Sequence, residues 1–261
     1  MKYNFIALVV CLTTFIFPNI ACTSEGNENV LYGDTIKILS YNVRNCKGLD
    51  NITDYKRVSD IISRIDADFV AIQELDSATV RSNQVVVLNE LAAQTQMHAT
   101  YRASINHQGG KYGIGMLTKE KPLSTEAVPL PGKEEKRSVL ILEMDKYVIC
   151  CTHFSLTQAD RIASVDIVTN AVKKYSKPVF LAGDLNTETG STEMKNMVKD
   201  WLILNNPSQP TIPANSPKEC IDFVLMKKSS AYQVKIMKSV VENEPVASDH
   251  LPVWVKVIVS R

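Results

Sequence analysis

Five polar clusters and one isolated acid interrupt the apolar runs of this chain, and their residue types suit one reaction. They are Ser40-Tyr41-Asn42, Gln73-Glu74-Leu75-Asp76, Thr152-His153, Gly183-Asp184-Leu185-Asn186 and Ser248-Asp249-His250, with Asp222 alone inside the apolar stretch 221–225. A carboxylate in an apolar strand is costly unless it is paired or hydrogen-bonded. Side chains that act on a ligand favour strand ends and loops held by a rigid scaffold. One such acid is as readily a satisfied core residue or a turn former; six groups at strand ends are harder to explain that way. Carboxylate oxygens suit a hard cation such as Mg²⁺ or Mn²⁺. Such a cation, a positioned water and groups that answer developing charge are what hydrolysis of a phosphate ester requires. Asp184 and Asn186, two apart, share a face if the segment is extended: one can orient a water while the other donates to phosphate. Asp222 could hold an imidazole in one tautomer.

The elements that must carry these groups follow from hydrophobic periodicity. Residues 36–41 read as a strand entering a polar turn, and 68–72 as a short strand ending at Gln73-Glu74. Tyr55, Val58, Ile61, Ile62 and Ile65 line one face of a helix over 54–66, with Thr53 as its N-cap. A second helix is predicted over 84–97, then strands at 113–118, 139–144 and 147–152, the last running into His153. Ile162, Val165, Thr169 and Val172 form a helical stripe, 179–182 a strand ending at Gly183-Asp184, and 192–201 a short helix. A proline-rich loop at 207–217 precedes strands at 221–226, 234–238 and 253–259. Strands and helices interspersed without strict alternation imply a mixed sheet system covered by helices, in one domain over 34–261.

Lys and Arg number 29 against 28 Asp and Glu in 261 residues, and the first 21 residues hold one base, Lys2, and no acid. A mature chain starting at Cys22 is therefore balanced. Non-specific grip of nucleic acid usually shows as a basic surplus, so nucleic acid is the less favoured substrate. Lys2, the apolar run from Phe5 to Phe17 and the small Ala21 describe a secretory signal over 1–21. The run is short for a membrane span. Ile20-Ala21-Cys22 resembles a bacterial lipobox, with Asn19 where Leu is usual, and the polar stretch 22–33 suits a tether. The expectation is an exported monomer, anchored by a lipid on Cys22 in the periplasm or outer membrane of a bacterium, or otherwise secreted. Cys46, Cys150, Cys151 and Cys220 are expected as buried free thiols, since Cys150 and Cys151 point to opposite faces of a strand.

In their order along the chain, Asn42, Gln73-Glu74, His153, Gly-Asp-Leu-Asn at 183–186, Ile221-Asp222 and Ser248-Asp249-His250 resemble the endonuclease/exonuclease/phosphatase superfamily. The likeness spans about residues 36–258 and looks most like compact secreted bacterial members. It implies an α/β fold, a four-layered α/β sandwich of two packed mixed β-sheets flanked by helices, as in DNase I. It also implies that Glu74 is the principal metal ligand, with Asn42 beside it and Asp249 contributing. By the same resemblance Asp184 would orient or activate the attacking water, and Asn186 would hydrogen-bond the phosphate. His250, steadied by Asp222, would act on the nucleophile or a phosphate oxygen. His153 would face the scissile phosphate.

Thr-His-Phe at 152–154 is similar to the histidine-bearing branches rather than to apurinic-site endonucleases, which carry a tyrosine there. The 119–137 loop lacks the exposed aromatic pair with which sphingomyelinases enter lipid. Arg161, Arg81, Lys111 and Arg102 are candidates to grip a second phosphate or an anionic head group, Arg161 foremost; each is otherwise a solvated surface charge. Gly109-Gly110-Lys111 is no nucleotide-binding loop, because Ile105 and Tyr112 stand where that loop needs Gly and Ser or Thr. The expected substrate is a phosphomonoester or phosphodiester, as a small molecule or a lipid head group. A secreted DNase I-like endonuclease is the alternative among enzymes. Outside them the alternative is a non-catalytic binding protein, which would be expected to have lost Glu74, Asp184 or His250.

Overall fold

The computed structural model describes Met1 and residues 33–261. Cys22, the rest of the signal segment and the tether before Gly33 lie outside the described residues. In chain order the elements are β1 (Asp34–Asn42), α1 (Tyr55–Ile65), β2 (Phe69–Ser77), α2 (Val87–Thr95), β3 (His98–His107) and β4 (Gly110–Thr118). Then come β5 (Ser124–Leu130), β6 (Arg137–Glu143), β7 (Val148–His153), α3 (Gln158–Ala171), β8 (Val179–Asp184) and α4 (Thr192–Asp200). β9 (Trp201–Ile203), β10 (Asp222–Lys227), β11 (Gln233–Val241) and β12 (Val253–Ser260) complete the described chain.

The strands form two six-stranded sheets, ordered β11-β12-β1-β2-β4-β3 and β5-β6-β7-β8-β10-β9. Each has one parallel pair at its centre, β1–β2 or β7–β8, with antiparallel neighbours. These central strands bury both faces, which is why Val179-Phe180-Leu181-Ala182 is continuously apolar instead of alternating. Between the sheets, Ile36, Ile38, Ala71 and Met116 meet Leu140, Cys151, Phe180 and Val224. On the outer face of the first sheet, Val58, Ile61, Ile62 and Leu88 of α1 and α2 cover Leu39, Tyr41, Val70 and Ile72. Val165, Val168, Met194 and Met197 of α3 and α4 cover Ile141, Cys150, Leu181 and Phe223 of the second. Each large side chain buried this way stabilises by about 1.5–3 kcal/mol. The result is the four-layered α/β sandwich, and Cys46, Cys150, Cys151 and Cys220 are buried free thiols within it.

Several local expectations are corrected. The N-cap of α1 is Asp54, not Thr53: the Asp54 carboxylate accepts the Arg57 N–H at 2.9 Å. β2 does not stop before Gln73. It passes through a bulge, since Ile72 pairs with Gly115 but Leu75 with Gly113, and continues to Ser77. β3, β5 and β9 were not expected. β3 and β5 lie at sheet edges and are largely half-buried or exposed, so neither carries a clean alternating pattern.

This topology gathers the polar clusters. The C-terminal ends of β1, β7 and β8 deliver Asn42, His153 and Asp184, and the bulge in β2 delivers Glu74. β10 runs antiparallel to β8 with Asp222 opposite Asp184, and the loop before β12 brings Ser248 to His250 to the same end. Gly183 lets this end close up: a Cβ there would lie 2.1 Å from the Thr152 carbonyl oxygen of the adjacent strand. Gly183→Ala should therefore lower the free energy of unfolding by about 1–3 kcal/mol in denaturant titration, as overpacking does. An unchanged midpoint would mean that β7 and β8 do not need this close approach.

Candidate active site

Asn42, at the last position of β1, is fully buried and its amide joins the two sheets. Its Nδ2 donates to Glu74 Oε1 of the first sheet and to Asp184 Oδ2 of the second, both at 3.1 Å. Its own Oδ1 accepts the Arg44 N–H at 3.2 Å, and its backbone carbonyl accepts the Ser248 hydroxyl at 2.7 Å. Asn42 thus turns its NH₂, not its oxygen, toward the acids: it orients carboxylates and offers no ligand oxygen in this arrangement. Glu74 sits at the β2 bulge with φ 62°. A bulge re-aims a side chain, and here it brings to the cleft a residue that regular β2 register would direct elsewhere.

Asp184 Oδ2 is the meeting point. It lies 3.5 Å from His153 Nε2 and 3.7 Å from His250 Nε2, while Oδ1 accepts the Asn186 N–H at 2.8 Å. His250 Nδ1 lies 2.9 Å from Asp222 Oδ2, and the other Asp222 oxygen is buried with no hydrogen-bond partner. Asp249, like Glu74, is half-buried, whereas Asp184 and Asp222 are buried. Asp249 Oδ1 lies 3.3 Å from the Ser248 hydroxyl oxygen, and its Oδ2 lies 3.7 Å from Arg44 Nε.

Burial pushes the Asp184 carboxyl well above the usual carboxylate range, with protonated His250 opposing. For His250, burial works against charge, but Asp222 and Asp184 outweigh it and push the imidazole up to about 10. His153 goes the other way. Burial, then the positive charges of Arg137 and His250, hold it well below the usual imidazole value. Two histidines beside one carboxylate therefore have opposite proton states, one a cationic donor and the other neutral, a division that suits different roles in proton handling.

A divalent cation has two candidate seats. Asp184, Asp222 and His250 offer donor atoms that all lie within 4.8 Å of one another. That grouping is poorly suited, because Asp222 already holds the His250 ring and a protonated imidazole repels a cation. The Glu74 edge suits better. Among the described residues no Lys, Arg or His pairs with Glu74, whose carboxylate is held by Asn42 at 3.1 Å. Its donor chemistry is hard oxygen, which fits Mg²⁺ or Mn²⁺.

The remaining sequence candidates make contacts that the sequence does not announce. Asn186, expected to share an extended segment with Asp184, leaves the strand at φ 50° and spends an amide N–H on the Phe154 carbonyl at 2.9 Å. Arg161, the foremost candidate for a second phosphate, is taken by buried Glu193 at 2.6 Å and by the Ser155 and Leu156 carbonyls. Arg81 makes a two-pronged bond to Asp76, whose side chain is fully buried. Lys111 is exposed and bonds Asn106 at the hairpin tip, and Arg102 is exposed on β3. Charge count alone could not reveal these partners. Sequence reasoning missed Arg44 beside Asp249, and it missed Arg137, a buried arginine with an unpartnered Nε that acts on His153.

A model of the endonuclease/exonuclease/phosphatase family matches residues 39–250. Among solved structures, an endonuclease/exonuclease/phosphatase from Beutenbergia cavernae is 20% identical with a TM-score of 0.71, over 87% of this chain and 72% of that one. A functionally unknown conserved protein from Enterococcus faecalis is 19% identical with a TM-score of 0.69, over 85% and 99%. A mannosyl-6-phosphatase from Bacteroides thetaiotaomicron is 15% identical with a TM-score of 0.63, over 85% and 99%. At these identities the likeness is one of fold. No curated protein sequence matches the chain.

An imidazole held above its ordinary pKa of 6.5 stabilises the fold below that pH, and the contribution is lost as pH rises toward about 10. Asp222→Asn should lower the His250 pKa, followed by NMR of the imidazole, and flatten the decline in stability between those limits. An unchanged His250 titration would mean that Asp222 does not hold its proton.

Proposed function

Because the chain belongs to the endonuclease/exonuclease/phosphatase family, we propose that it hydrolyses phosphate esters using Mg²⁺ or Mn²⁺ held at Glu74. One observation carries this reading: the Asn42 amide draws Glu74 and Asp184 together from different sheets, with both histidines at Asp184. The bound cation would supply charge to the phosphoryl oxygens. Asp184 in its ionised form would accept a proton from the attacking water, and burial, which raises its proton affinity, makes it the stronger base for that step. His250, kept cationic by Asp222, donates from Nε2 toward the same place and answers negative charge on a phosphate oxygen. His153, neutral and 5% exposed, can bind the leaving side without adding charge repulsion to the cation. Asn186 Nδ2 has a second hydrogen beyond the one given to Phe154, and that hydrogen remains for substrate.

The balanced net charge favours a small phosphomonoester or phosphodiester, or a lipid head group, over nucleic acid. Because Arg161 and Arg81 are committed to Glu193 and Asp76, recognition of a second anionic group does not fall to them.

Turnover of bis(4-nitrophenyl) phosphate, 4-nitrophenyl phosphate, duplex DNA and sphingomyelin would be compared with Mg²⁺, with Mn²⁺ and with a chelator. The expected result is hydrolysis of at least one ester, abolished by the chelator. Glu74→Gln, Asp184→Ala and His250→Ala should each reduce it by roughly 10²–10⁴-fold with the fold intact. Near-normal rates in these variants, or activity indifferent to chelation, would refute the assignment.

A further inference from the structure

We propose that Glu193 is a positioning residue of this site, acting with Arg161 through Thr187 to hold Asn186 in place; the inference rests on the function proposed above. Glu193 lies in the first turn of α4 and is 1% exposed. Its Oε1 accepts from Arg161 Nε at 2.6 Å and from the Thr187 hydroxyl at 2.8 Å, and its Oε2 from Gln158 Nε2 at 3.3 Å. A buried ion pair is a poor way to gain stability, since well-packed apolar residues of similar volume commonly do as well. Its presence calls for another reason.

The bonds around it supply one. Arg161 Nη1 reaches the carbonyls of Ser155 at 3.2 Å and Leu156 at 2.7 Å. Glu134 takes the Leu156 N–H from the other side at 2.8 Å and the Ser155 hydroxyl at 2.9 Å. The loop that follows His153 is thereby gripped on both backbone edges by charged side chains instead of by a strand. That loop presents the Phe154 carbonyl to Asn186 Nδ2, while the Phe154 N–H donates to the Asp184 carbonyl at 2.9 Å.

Asn186 is in the left-handed region, which asparagine adopts more readily than other non-glycine residues, and its neighbours fix it there. Asp184 Oδ1 fixes its N–H on one side; on the other, the next residue, Thr187, is tied to Glu193. Glu193 thus joins two loops, 154–157 and 185–187, into one piece whose inner edge carries His153 and Asn186. Without it the Asn186 amide loses its fixed aim, while Glu74, which belongs to the other sheet, keeps its place.

The test is steady-state hydrolysis of bis(4-nitrophenyl) phosphate with Mn²⁺, well below the melting temperature of each variant. Glu193→Gln and Thr187→Val should each lower kcat about 10–100-fold, as loss of an outer supporting partner commonly does, with KM within about twofold. Thr187→Ser, which keeps the hydroxyl, should retain most of the wild-type kcat. Combined with Asn186→Ala, neither variant should add a further loss, because groups acting as a unit are non-additive. If Glu193→Gln does not fold, Thr187→Val decides alone. Unchanged kcat in the variants that fold, or losses that multiply with that of Asn186→Ala, would overturn the inference and leave the proposed function standing. Full activity in Asn186→Ala would remove the role given to Asn186, and this inference with it.

Discussion

The Asn42 amide stands where two sheets and two acids meet, and the rest of the site depends on that bridge. Glu74 and Asp184 come from β2 and β8, separated by more than a hundred residues of chain, and like charges brought together in a dry interior repel. One planar NH₂ with two hydrogens satisfies both carboxylates at 3.1 Å. The sandwich provides the geometry: the parallel pairs β1–β2 and β7–β8 end at the same edge, so residues that terminate them converge without long loops. Ser248 then locks Asn42 from a third direction, tying the last loop of the site to the end of β1.

Around this bridge the protein arranges charge by environment. Asp184 and His153 are deep and resist ionisation, while the Asp222–His250 pair sustains a cation in the same pocket. The gradient runs from the buried second sheet toward the more exposed Glu74 and Asp249; among the described residues no Lys, Arg or His pairs with Glu74, whose carboxylate would be open to a hard cation. Outside that inner ring lies a second ring of carboxylate–arginine bonds, Glu193–Arg161, Glu134–Arg137 and Asp76–Arg81. The first two of these pairs also hold the loop that follows His153, through Arg161 and Glu134. Several arginines that sequence alone would offer to substrate are therefore part of the frame.

Much of this was legible in the residues. The apolar run ending in Gly183-Asp184-Leu185-Asn186 and the stripe Val58, Ile61, Ile62, Ile65 mark a buried strand and a covering helix because burial imposes those periods. Asn42, Glu74, His153, Asp184, Asp222, Asp249 and His250 stood out as polar groups at strand ends, and the fold gathers them at one edge. What was not legible depended on partners distant in sequence. The bulge at Glu74 is a register mismatch with Gly113–Gly115 that no local pattern reports. Asp54 displaced Thr53 as a cap because both are good capping types and only backbone geometry chooses. Arg161 could not be told from a surface charge until buried Glu193, 32 positions on, was seen beside it.

The most direct test of the central claim is the anomalous diffraction of a crystal grown or soaked with Mn²⁺. The account places a single strong peak about 2 Å from a Glu74 carboxylate oxygen, a distance typical of small hard cations on oxygen ligands, with the Asp222–His250 bond left intact. A peak between Asp222 and His250 with none at Glu74, or no peak near either, would contradict it.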